Sequence, residues 1–107
     1  MVSDQPRPLQ IVERQDGDTT VVALAGELDM ETAEPVERRL GELAAAGRST
    51  LLDLDRLGFM DSVGIRLVLR ACEIARRGGW AFRITHGSEA VRRVFAASGL
   101  TDRLPYA

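Results

Sequence analysis

Hydrophobic and polar positions change period several times along the 107 residues, and each change marks an element. Leu9 and Ile11, then Val21 to Ala25, form two strand-like runs separated by Arg14-Gln-Asp-Gly-Asp-Thr19. Asp16-Gly17 is a strong hairpin signal, because both residues tolerate the positive φ of tight antiparallel turns. Gly26-Glu27-Leu28-Asp29 closes the second run. Ala33, Val36, Leu40, Leu43 and Ala44 then fall at helical spacing and predict a helix to about Ala46. Pro35 belongs in its first turn, which makes Thr32 the better N-cap and leaves Asp29 free in the connection.

After Gly47, the short apolar run Leu51, Leu52 and Leu54 predicts a buried strand. From Ile65 onward, Ile65, Val68, Leu69, Cys72 and Ala75 predict an amphipathic helix ending at Gly78-Gly79. Trp80-Ala-Phe-Arg-Ile84 alternates as a strand with one covered face should. Ser88 then caps a last helix that turns Val91, Val94 and Phe95 inward and stops at Ser98-Gly99. Leu100 to Ala107 is expected to lie over the core as a strap. Strand, strand, helix, strand, helix, strand, helix describes one small α/β domain over residues 9–107, with a mixed sheet opened by a hairpin and packed by helices. Residues 1–8 read as a flexible polar lead.

Composition removes several functional classes. All fourteen basic residues are arginine, so no lysine can serve a P-loop, a Schiff base or a general base. The net charge of −2 offers nothing to nucleic acid, and no apolar run approaches a membrane span. The reading is therefore a cytoplasmic protein that binds neither nucleic acid nor membrane and is monomeric when free. Cys72 has no disulfide partner, and no cluster of ligands has metal-site spacing. No cofactor is expected.

Chemistry gathers between the third strand and its helix, at Asp61-Ser62-Val63-Gly64. First-turn amides of a helix lack intrahelical partners and the macrodipole is positive there, so a phosphate on Ser62 is tolerated by the fold. Ser and Asp in this place are equally the preferred N-caps, and spacing alone leaves Ser62 as either cap or acceptor. Glu27 and Asp29 are either a solvated turn or, with Asp61, an acidic rim on the carboxyl edge of the sheet. Val63 and Leu67 either widen the buried face of the helix or contact a partner. A serine hydrolase is excluded because His86 is the only histidine and Met60-Asp-Ser-Val-Gly64 lacks the first glycine of the nucleophile elbow.

Gly26-Glu-Leu-Asp29 followed by Thr32-Ala33, then Leu52-Asp-Leu54, Phe59-Met-Asp-Ser-Val-Gly64 and Ser98-Gly-Leu-Thr-Asp102, resembles the STAS-domain anti-sigma factor antagonists of the SpoIIAA type. The resemblance implies the STAS fold and a partner switch that works in transcription regulation, in stress responses and sporulation. It implies that unphosphorylated chain binds an anti-sigma factor that is also a serine kinase, that phosphorylation of Ser62 ends binding, and that a metal-dependent serine phosphatase restores it. It implies no catalysis by the chain itself. Glu27, Asp29, Asp61, Ser62, Val63, Gly64 and Leu67 are then the expected partner-binding residues. Val63 stands where many members have Ser or Thr, which leaves Ser62 as the hydroxyl to modify. The alternative is a non-switching STAS scaffold subunit of a lipid-transport or stress-sensing assembly.

Overall fold

A computed structural model describes residues 9–107 of the chain; the lead of residues 1–8 lies outside them. The elements run β1 (Gln10–Asp16), β2 (Thr19–Leu28), α1 (Ala33–Ala45), β3 (Ser49–Met60), α2 (Ser62–Gly78), β4 (Phe82–Ile84) and α3 (Glu89–Ala97). The four strands lie in the order β1-β2-β3-β4. β1 pairs antiparallel with β2 through the Gly17 turn, while β2, β3 and β4 are mutually parallel. This is the ββαβαβα mixed sheet that the pattern predicts.

The sheet is buried chiefly where its side chains meet the helices. Val22, Leu24 and Leu28 of β2, Leu52, Leu54, Leu57 and Met60 of β3, and Phe82 and Ile84 of β4 form one core with Val36 and Leu40 of α1, Leu67 and Val68 of α2, and Val91 and Phe95 of α3. α1 and α2 pack on each other, and α3 packs on β3.

β3 runs for twelve residues, well past the apolar run that announces it. Its register against β2 slips twice, from Ala23↔Asp53 to Ala25↔Arg56 and from Gly26↔Leu57 to Glu27↔Phe59, with the extra residue on β3 each time. Each bulge resets the alternation, so that after Leu52 and Leu54 the inward positions become Leu57 and Met60, three residues apart. β4, in contrast, is shorter than predicted. Trp80 lies outside the strand; its indole N–H donates to the Arg48 carbonyl at 2.7 Å, and its ring stacks on Phe82 with centroids 4.8 Å apart.

The buried face of α2 also differs from the predicted one. Gly64, Leu67, Val68 and Ala71 are buried, Ile65, Cys72 and Ala75 are half-buried, and Leu69 is exposed. The helix is turned toward its small residues because α2 approaches the strand ends closely at Gly64. A methyl group there would overlap the Met60 side chain and come within 3.1 Å of Leu28 Cδ2. Burial raises the Cys72 thiol pKa, as suits a packed cysteine.

The C-terminal strap is present. The Ile84 N–H donates to the Pro105 carbonyl and the Ala107 N–H to the Ile84 carbonyl, both at 2.9 Å, so the tail adds a short parallel bridge outside β4. Leu104 is buried, and Tyr106 stacks on His86 with centroids 4.2 Å apart.

Candidate functional site

β2 and β3 end side by side, with Glu27 opposite Phe59 and Leu28 opposite Met60 in the last ladder pairs. Asp29 and Asp61 follow directly on their strands, so the parallel register brings Glu27, Asp29, Asp61 and Ser62 to one edge of the sheet. All three carboxylate residues are half-buried, and Ser62 is exposed.

The start of α2 separates two roles that the sequence leaves joined. Asp61 is the N-cap: its backbone is extended, and its Oδ1 accepts from the Val63 N–H at 2.9 Å. Ser62 is the first helical residue. The capping bond is thus made by the acid, and the serine hydroxyl is left outside it, facing solvent. The first turn contains no other acid that would repel an anion there.

The connection from β2 to α1 is a closed turn rather than a free loop. Asp29 Oδ1 accepts from the Glu31 N–H at 2.9 Å, and Thr32 Oγ1 accepts from the Asp29 N–H at 3.0 Å while donating to the Glu27 carbonyl at 2.7 Å. The expectation that Asp29 stands free is therefore corrected: its short side chain bonds the backbone two residues on, the usual local habit of Asp in turns. Thr32 holds the N-cap position but spends its hydroxyl backwards into this turn, with no bond to the α1 amides.

Two of the expected contact residues are closed off from a docking protein. Leu67 is 2% exposed and Gly64 is buried beneath Met60, because both lie on the side of α2 that meets the strand ends. They support the edge from beneath. Val63 is half-buried and Ser62 open. Conversely, the edge carries two apolar side chains that the periodicity passes over. Met30 is 78% exposed at the tip of the Asp29–Thr32 turn, and Phe59 is 45% exposed beside Glu27. The signal available for Met30 is its place between two acids, Asp29 and Glu31, where no core position is due.

Among the described residues no three His, Cys, Asp or Glu side chains are grouped to hold a metal ion, and no helix is long and apolar enough to cross a membrane.

Residues 11–106 match the family model described as Mlab, STAS domain. The chain belongs to the STAS-domain family. It is 35% identical over 95 residues to an anti-sigma F factor antagonist of Lysinibacillus sphaericus, covering 86% of this chain and 78% of that one. The crystal structure of an anti-sigma factor antagonist from Mycobacterium paratuberculosis superposes with a TM-score of 0.82 at 25% identity, over 95% of this STAS chain and 89% of its counterpart. The Bacillus cell fate determinant SpoIIAA, solved in its phosphorylated form, superposes with a TM-score of 0.70 at 27% identity, over 92% and 91% of the two chains. The ββαβαβα order read from the sequence is that of the SpoIIAA fold.

Proposed function

We propose that this STAS domain is an anti-sigma factor antagonist whose binding is switched by phosphorylation of Ser62. The reading is carried by one observation: Ser62 is exposed at the first position of α2 while Asp61 makes the cap, so a modification of the hydroxyl costs the helix nothing it is using. The similarity to anti-sigma factor antagonists, and to a SpoIIAA solved as a phosphoprotein, supports the same assignment.

In this reading the unmodified chain works in the cytoplasm as a free monomer. It binds a cognate anti-sigma factor through Glu27, Asp29, Asp61, Ser62 and Val63, with Met30 and Phe59 as apolar contacts, and the sigma factor is freed. The anti-sigma factor is also a serine kinase. Transfer forms a bond from Ser62 Oγ to the γ-phosphorus of ATP and breaks the bond from that phosphorus to the β,γ-bridging oxygen. ADP leaves, and the hydroxyl proton passes to a base on the kinase. The product carries about −1.5 to −2 further charges on an edge already rich in carboxylates. At a close-packed interface such charge adds repulsion and desolvation, so the partner is released while the domain keeps its shape. A metal-dependent serine phosphatase reverses the step. The domain itself catalyses nothing.

The test is recovery of the binding partner from cell extract on immobilised chain, followed by incubation with ATP. The expected result is a serine kinase that phosphorylates the chain at Ser62 and dissociates from it, while Ser62→Ala is bound and retained. Loss of binding by Ser62→Ala would contradict the switch. Recovery of lipid-transport components with no phosphorylation would overturn the switch in favour of a non-switching scaffold.

A further inference from the structure

The three helices begin on a common plan, and one of them lacks a part. α1 carries Glu34 in its first turn, 2.8 Å from Arg38 four residues on. α3 opens with Glu89, 3.0 Å from Arg93 four residues on. α2 has no acid in its first turn. Ser62 occupies the opening position that Glu89 holds in α3, and the residue four further on is again an arginine, Arg66. Arg66 is exposed. At the far end of α2, Arg76 and Arg77 are both held by Glu73, at 2.7 and 2.6 Å, whereas Arg66 has no ion pair among the described residues.

Residues four apart stand one above the other on a helix, and an acid placed N-terminal to a base is the favourable orientation. A guanidinium also matches the oxygens of a phosphate two at a time, which an ammonium cannot do. We infer that Arg66 is the intramolecular partner of a phosphate carried by Ser62, completing on α2 the acid-to-arginine pair that α1 and α3 already possess. The inference rests on Ser62 being the acceptor, as proposed above.

Its consequence is a two-part change at the docking edge. In the unmodified chain Arg66 is an exposed cation one turn along α2 from Asp61 and Ser62, available to a carboxylate on the partner. In the modified chain it is drawn onto the phosphate. Phosphorylation then adds negative charge and withdraws a positive one together, which sharpens release beyond what the added charge does alone.

The experiment uses full-length chain with phosphoserine built in at position 62 during translation, so no kinase is required. The second ionisation of the phosphate is followed by phosphorus NMR. Glu27, Asp29 and Asp61, which oppose that ionisation, are the same in every variant. Relative to the parent, Arg66→Gln should raise the second pKa by about 0.3 unit, the size of a solvated pair between residues four apart. Arg66→Lys should restore part of the difference, and Arg70→Gln, one further turn away, should leave the value unchanged. An unchanged pKa in Arg66→Gln, or an equal rise in Arg70→Gln, would overturn the pairing. Failure of any kinase to modify Ser62 would instead count against the switch and leave this measurement standing.

Discussion

Two serines open two helices of this domain, and they have opposite fates. Ser88 sits at the N-cap of α3, half-buried, where its Oγ accepts from the Val91 N–H at 3.2 Å and donates to the Leu57 carbonyl at 2.5 Å. Ser62 sits one position further along its helix, exposed, with the cap already supplied by Asp61. A shift of one residue relative to the helix start turns a hydroxyl from a fastener into an open group. The difference also explains why residue type alone could not assign Ser62: a serine before an apolar helix is consistent with either position.

The comparison can be broken at three points. Gly64→Ala should have the largest effect, since the new methyl meets Met60 in a packed core; about 2 kcal/mol of stability should be lost in denaturant unfolding, net of the better helix propensity of alanine. A loss below about 0.5 kcal/mol would mean that α2 is not seated on the strand ends as described. The two serines come next. Ser88→Ala should cost about 1.5 kcal/mol, because it removes a cap and strips the Leu57 carbonyl of a donor, whereas Ser62→Ala should stay within about 0.5 kcal/mol of the parent. Equal losses in the two variants would erase the distinction. The smallest effect sharpens it further. Asp61→Ala should cost about 1 kcal/mol and Asp61→Asn only a few tenths, as asparagine caps equally well. Similar melting temperatures for all three side chains would show that the cap belongs elsewhere.

The parts of the fold that were legible in the sequence are those in which one residue carries one message. Asp16-Gly17 makes the hairpin and Ser88 caps α3. Legibility fails where backbone geometry intervenes. The alternation of β3 is lost after Leu54 because two bulges each insert a residue, which moves Leu57 and Met60 to the inside out of phase. The orientation of α2 is hidden from periodicity because two of its four buried residues are Gly64 and Ala71, whose small side chains give a weak hydrophobic signal. At the candidate site, the acidic edge and Ser62 follow from their places between predicted elements. Leu67 is ambiguous because periodicity does not distinguish a side chain under its own core from one awaiting another protein, and Met30 gives no periodic signal because it stands in a turn, outside any strand or helix stripe.

The short bridge between Tyr106 and Ile84 bears on how these molecules behave when crowded. A sheet with two bare margins can add neighbours on both sides and propagate into a fibre, whereas here the β4 margin has both the Ile84 amide and its carbonyl taken up by the chain's own tail. Loss of the last three residues would uncover that margin and give the sheet a surface on which to grow.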